Sequence, residues 1–383
     1  MGLKKIRNHI AAHLTNSRGW KTDRKIVVIE SDDWGSIRMP SRIAYKEMRS
    51  RGVPVEKSPY LRHDSLASEE DLQLLFGLLR SHTSRAGDYP VITANCVVAN
   101  PDFEQIRASE FREYSSESIL ETFKRYPEHR DCIEIWKEGE SEHIFRPQSH
   151  GKEHLNISHW LHLLQNDTND FRIAFENQCW GLSGDIYPGM KRSVQAAFDM
   201  EDRQDHKQHQ ISITEGLDLF EEIFGYRSRS FIANNYIWST GLNDVLAQGG
   251  VRYLQGMKYQ KLPILYHDKR QMIRHYVGER NNLGQYYLVR NCSFEPSLEH
   301  RSYNNVKECL RSITTSFLWK RPAIICSHRI NYVGFLNADN RNRNLEQFNR
   351  LLASIIKKWP DVEFMSSDQL GQVIEEDGQP LTD

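Results

Sequence analysis

Apolar residues in this chain fall into short unbroken runs separated by longer amphipathic stretches. The first run is "KIVVIES" at 25–31, and others lie at 89–100, 143–149, 229–236, 251–257, 286–294, 323–329 and 362–370. Runs of this length, without alternation, predict strands buried on both faces. Between them apolar residues recur every three or four positions. That spacing predicts helices over 68–82, 116–126, 154–166, 213–226, 239–250, 302–320 and 341–359. Ser68, with Asp71 three residues on, is close to a capping box, and Thr214 is a candidate cap. The polar stretch 200–210 predicts an exposed loop. Strands that alternate with helices predict an α/β fold of seven or eight parallel strands, most economically a (β/α) barrel. The chain divides into an N-terminal amphipathic extension, 1–22, and a single barrel domain, 23–375, with an insertion near 167–215.

In such a fold the chemistry sits at the C-terminal ends of the strands. Several runs end in polar groups. The first ends at Asp32-Asp33, the run at 143–149 leads into His150 and His154, 229–236 ends at Asn234-Asn235-Tyr236, and 323–329 ends at Ser327-His328-Arg329. Adjacent buried carboxylates repel and are costly unless paired or bound to a metal. On a helical turn, His150 and His154 would share one face within reach of one ion. Asp33 would supply a third, anionic ligand. Two imidazoles and a carboxylate leave a coordination position open, as catalytic zinc sites do. Asp32 is then free to act as a base. Trp34, Asn235, Tyr236, Trp180 and Trp238 would line the rim, where aromatic faces suit sugar rings.

Composition narrows the class. The net charge is −1 with the basic residues spread along the chain, which excludes a general nucleic-acid binder. The six cysteines form no C-x-x-C pair and read as buried thiols in a reducing compartment. No run is long enough to span a bilayer, and the N-terminus lacks the apolar core of a signal peptide, so the expected location is cytoplasmic. Leu3, Ile6, Ile10 and Leu14 fall on one helical face beside Lys4, Lys5 and Arg7. That face could pack on its own domain or touch a membrane surface.

"SDDWG" at 31–35, "SHGKEH" at 149–154 and "CSH" at 326–328, in that order, resemble the motifs of the polysaccharide deacetylase family, the NodB-homology carbohydrate esterases. The resemblance implies a distorted (β/α) barrel and removal of acetyl groups from an N-acetylated sugar or glycan, in polysaccharide biosynthesis. It implies Asp32 as base, Asp33, His150 and His154 as ligands of a divalent metal, and His328 as general acid. The metal would be zinc, with nickel or cobalt as alternatives. The chain departs from the family pattern at Glu30-Ser31 and Leu155. The stretch "SFIANNYIW" also lacks the Arg that orients the base in the family, so Asp32 has no assigned partner. Three other readings stay open. His150 to His154 also spells the H-x-x-E-H zinc peptidase motif, with Glu153 as base. A glycoside hydrolase would use two carboxylates on a similar barrel. A non-catalytic glycan-binding protein could keep a degraded site.

Overall fold

The computed structural model describes residues 3–182, 184–265 and 269–378. Nine strands build its main sheet: β1 (Lys25–Trp34), β2 (Ile92–Cys96), β3 (Phe145–Ser149), β4 (Ser230–Ile232), β5 (Tyr253–Gly256), β6 (Tyr286–Val289), β7 (Cys292–Ser293), β8 (Ala323–His328) and β9 (Val362–Met365). Neighbouring strands run parallel in the order β6-β5-β4-β3-β2-β1-β8-β7, and β9 pairs with the start of β1. Helices surround the sheet. Each predicted run forms a strand, but the run at 286–294 divides in two at Arg290-Asn291, which raises the number to nine.

That division closes the fold. β6 and β7 lie at opposite ends of the hydrogen-bonded path, yet only Arg290 and Asn291 separate them in the chain. Three peptide links reach at most about 11 Å. The sheet therefore curls back on itself, and these two residues form its seam.

Both faces of the sheet are packed. Val27 and Ile29 join the larger core cluster, with Leu72, Phe76, Leu351 and Leu352 from the surrounding helices. Ile26 and Val28 point the other way, with Leu254, Leu288, Ile324 and Leu370. Side chains alternate along a strand. The inward face of β1 thus passes from Ile26 and Val28 to Glu30 and then Asp32, so the apolar plug ends where the carboxylates begin.

Several helix boundaries differ from expectation. The stretch 200–210 is not a loop throughout, because a helix spans Gln204–Phe224 and its first two turns are the polar part. Thr214 is therefore no cap; its hydroxyl donates to the Gln210 carbonyl at 3.1 Å inside the helix. The helix predicted from 154 starts at Ile157, capped by Asn156. The last strand stops at Met365, where a capping box at Ser366 opens a helix over Ser367–Asp377. The box predicted at Ser68 and Asp71 is formed, heading the helix Glu69–Arg80.

The N-terminal helix spans Leu3–Asn16 and is tied to the barrel near its seam. The Asn16 carbonyl accepts from Arg321 Nε at 3.0 Å, and its side-chain oxygen accepts from Asn291 at 2.8 Å. Ile10 and Leu14 stay half exposed, and the side chains of Leu3 and Ile6 lie outside the described residues. All six cysteines are buried and none is in a disulfide. Among the described residues no helix is long and apolar enough to cross a membrane.

Candidate metal centre and acid–base pair

On an ordinary strand Asp32 and Asp33 would point to opposite faces. Here the register between β1 and β2 slips between Ser31 and Trp34, a bulge of one extra residue on β1. Asp33 takes a left-handed backbone, φ +74°. The bulge turns its carboxylate toward the same cavity as Asp32, which resolves how two adjacent acids can share one strand end. Asn235 and Tyr236, across the cavity, are also left-handed, at φ +56° and +60°. Such conformations cost about 1–3 kcal/mol each and cluster where function holds them in place.

The cavity has a volume of about 290 Å³ and is lined by Asp32, Asp33, His150, His154, Tyr236 and His328, among others. Asp33 Oδ1 lies 3.0 Å from His154 Nε2 and 3.5 Å from His150 Nε2. Its other oxygen faces Arg38 at 3.3 Å. His150 Nδ1 donates to the Ile232 carbonyl at 2.9 Å, which leaves the Nε2 lone pair aimed at the cluster. That buried Nε2 has no hydrogen-bond partner. The two histidines do not sit on a helical turn, as their spacing suggested. They flank a loop that bends at Gly151, φ +93°, and the helix begins only at Ile157.

These residues suit a divalent cation. The Asp33, His150 and His154 donor atoms lie within 4.8 Å of one another, and all three residues are buried. Burial drives His154 down to about 4, so at neutral pH its ring carries no charge and a nitrogen is free to bind. Burial alone would raise Asp33, but Arg38 and the two histidines hold it well below the usual carboxylate range. Glu295, Cys326 and His328 form a second group with ligand-type atoms. It fits an ion less well, because His328 Nδ1 and Glu295 Oε1 already satisfy each other at 2.6 Å.

Asp32 has the partner that its own sequence surroundings lack. Arg290, from the seam, grips it with two bonds, Nη1 to Oδ2 at 2.7 Å and Nη2 to Oδ1 at 2.6 Å. The same guanidinium reaches Glu30 through Nε at 2.5 Å and the Tyr236 hydroxyl through Nη1 at 3.1 Å. Asn95 adds a bond to Asp32 Oδ1 at 2.8 Å. Burial opposes ionisation of Asp32, yet Arg290 outweighs it and brings the carboxyl down to about 2. Glu30, buried more deeply against the same arginine, goes the other way and is raised.

His328 faces Asp32 from β8, with Nε2 at 3.8 Å from Oδ2. Burial would favour its neutral form, but Glu295 against Nδ1 and the Asp32 and Asp33 charges raise it well above the ordinary histidine value. Asn331 in turn donates to Glu295 Oε2 at 2.8 Å. One residue is thus held ionised and its neighbour across the cavity protonated. Groups pushed apart in this way are candidates for a base and an acid.

Some expected contributors lie elsewhere. Trp34 is not at the rim: it is 1% exposed, packs edge-on against Trp136 and Phe145, and donates to Ser31 Oγ at 2.9 Å. A large indole at the bulge is pulled into the outer core, so it offers no face to a ligand. Trp238 is buried and bonded to Asn243. Trp180 is buried and stacks on His154, with ring centres 5.8 Å apart. Asn235 and Tyr236 do line the cavity. Tyr236 N–H donates to the Ala233 carbonyl at 2.9 Å, so it cannot serve an oxyanion. Glu153 is not brought to the cluster; its carboxylate lies 3.6 Å from Lys152 Nζ, outside the cavity lining. Arg290 and Glu295 were not singled out in the sequence. Their only signal is a charged residue at the tip of an apolar run, the same signal that Asp32-Asp33 gives.

The Glu295 contact makes a prediction about pH. An acid works only while protonated, so activity falls as pH rises through its pKa. In Glu295→Gln burial remains and the nearest raising charge is gone. The alkaline limb of kcat/KM should move to lower pH, and activity at pH 8 should drop by about tenfold or more. A limb that stays in place would show that His328 is not the acid.

The fold and site define an α/β chain whose curled parallel sheet carries a buried Asp-His-His cluster beside an arginine-clamped aspartate that faces a histidine. The sequence matches no known family profile and no curated protein. Solved structures do share the fold in outline. A probable polysaccharide deacetylase from Pseudomonas aeruginosa PAO1 superposes with a TM-score of 0.45 at 10% identity, covering 93% of this chain and 93% of its own. The PuuE allantoinase gives 0.45 at 8%, covering 95% and 94%. The 4-α-glucanotransferase from Thermococcus litoralis gives 0.45 at 8% and 91% coverage, but this chain spans only 40% of that protein's length. None reaches 0.5 and the names cover different reactions, so the chemistry rests on the residues.

Proposed function

We propose that this chain is a metal-dependent hydrolase that removes the acetyl group from an N-acetylated sugar or glycan. One observation carries the reading. Three donor atoms converge at the end of β1 and β3 with a buried nitrogen left unbonded, and the next residue, Asp32, is clamped as a carboxylate opposite a protonated His328. Asp33, His150 and His154 would hold the ion. A divalent cation there would polarise an amide carbonyl and acidify water.

The chain's own residues account for the rest. Asp32 accepts the proton of the attacking water. Arg290 fixes both Asp32 oxygens, so the proton is taken at one angle only. The same arginine keeps Asp32 a weak base, which suits water that is already acidified. His328 delivers its Nε2 proton to the leaving nitrogen, while Glu295 holds the ring through Nδ1. The Asn235 N–H is the remaining backbone candidate for the developing oxyanion.

Metal content by mass spectrometry tests the reading, with wild type beside His150→Ala and Asp33→Ala. The expected result is about one divalent ion per chain in wild type and almost none in either variant. Acetate release from N-acetyl sugars should follow the metal. Retention of the ion in Asp33→Ala would instead fit a site built on the H-x-x-E-H motif.

A further inference from the structure

Among the described residues a second and wider cavity lies outside the acid–histidine cluster. It is an open groove of about 1420 Å³ beside it. Six cations line it: Arg42, Lys46, Arg49, Arg62, Arg301 and Arg343. Among the described residues none of the six forms an ion pair with a carboxylate, although Glu299 and Asp339 also border the groove.

The cations come from separate elements that converge. Arg42, Lys46 and Arg49 stand at i, i+4 and i+7 on the helix Arg42–Ser50, one column on one face. Like charges at this spacing repel and weaken a helix. Glu47, one residue from Lys46, sits on another face, and among the described residues Arg42 is met only by the Leu336 carbonyl, which accepts from its Nε at 2.9 Å. Arg62 comes from the helix Pro59–His63, Arg343 from the helix Ala338–Lys358 and Arg301 from a turn before the helix Asn305–Leu318. Their fields meet at His63, which burial together with Arg62, Arg343 and Arg301 pushes down to about 4.

The groove shares its walls with the metal cavity. The five-residue helix Pro59–His63 gives Tyr60 to the cavity and Arg62 and His63 to the groove. Glu295 holds His328, and the next two residues, Pro296 and Ser297, line the groove. A ligand seated in one therefore lies within a residue or two of the other.

We propose that the groove binds the phosphate groups of the substrate, and that the substrate is an N-acetyl sugar carried on a diphosphate. This rests on the deacetylase reading and names the substrate class. Five of the six cations are arginines, whose planar fork pairs with phosphate oxygens two at a time. The volume exceeds the ~300–1,000 Å³ of a typical ligand pocket, leaving room for a diphosphate and the group attached to it. That group is a nucleoside or a lipid carrier, and both present the same diphosphate.

Calorimetric titration of the full chain at low salt tests the groove, using inorganic pyrophosphate, uridine diphosphate and dodecyl diphosphate as probes. His150→Ala serves as the background in which a metal cannot hold the anion. Pyrophosphate should bind wild type and His150→Ala alike. Arg62→Gln/Arg301→Gln and Lys46→Gln/Arg49→Gln should each weaken it by about tenfold or more, and added salt should weaken it further. Tighter binding of uridine diphosphate supports a nucleotide sugar, and tighter binding of dodecyl diphosphate a lipid-linked one. The proposal is overturned if wild type binds none of the probes, or if both double variants bind as wild type does. Acetate release from neutral N-acetyl sugars without diphosphate binding would overturn the groove alone. Diphosphate binding without acetate release from any N-acetyl sugar would overturn the deacetylase reading and leave the groove an anion site.

Discussion

Asp32→Asn is expected to lower acetyl release by about 10²–10⁴-fold, the usual contribution of a positioned acid or base. The change keeps the size and shape of the side chain. Asn95 can still donate to its oxygen, and Asp33, His150 and His154 are untouched, so metal content should equal that of wild type. The variant removes the proton acceptor, and with it one of the two Arg290 bonds and one of the charges that raise His328, while the cavity keeps its shape. Steady-state kinetics beside metal analysis checks both halves. Full turnover in Asp32→Asn would take the base role away from this residue. Loss of metal together with activity would mean that the two carboxylates of the bulge act as one ligand set.

The second large effect concerns Arg290 and is on stability. The guanidinium is wholly buried, and Glu30 and Asp32 depend on it for charge. Taking one partner from a buried ion group leaves the others unpaired, at a cost of about 3–5 kcal/mol. Arg290→Met should therefore lose a large part of a typical 5–15 kcal/mol of folding stability. Glu30 can relieve some of this by taking up a proton, because its pKa is already raised and Ser367 Oγ can still bond it at 2.7 Å. Asp32 has less relief, since Arg290 is the chief influence that lowers it. Its pKa should rise in the variant and the acidic limb of the residual activity should move to higher pH. Denaturant unfolding measures the loss. A variant within about 1 kcal/mol of wild type would show that the carboxylates are solvated or protonated without the arginine.

Much of this could be read along the chain. The run from Lys25 to Ser31 marks β1, and Asp32, Asp33, His150, His154 and His328 meet because each follows a parallel strand and parallel strands end at one rim. The strand count fell short because 286–294 reads as one apolar run, and nothing local shows that hydrogen bonding stops at Arg290. The same break hid the partner of Asp32. The two residues are 258 positions apart, and only the curl of the sheet brings them together. Trp34 was misplaced because β1 bulges beside it, and a one-residue slip sends a side chain to the other face. The start of the helix Gln204–Phe224 was lost for a different reason. Its first turns are polar, so no apolar period announced them.

The order of the strands along the chain gives the centre a history during synthesis. β1, β2 and β3 are neighbours in the sheet and all precede His154, so the chain that carries Asp33 and both histidines is made first, and the Ile232 carbonyl that orients His150 follows with β4. Arg290, Glu295 and His328 come later, the last of them 174 residues after His154. At ~5–20 residues per second that is an interval of about 10–35 s. On the proposed reading, the three candidate ligands are synthesised well before the proposed acid and the anchor of the proposed base, and the site is complete only when the seam closes.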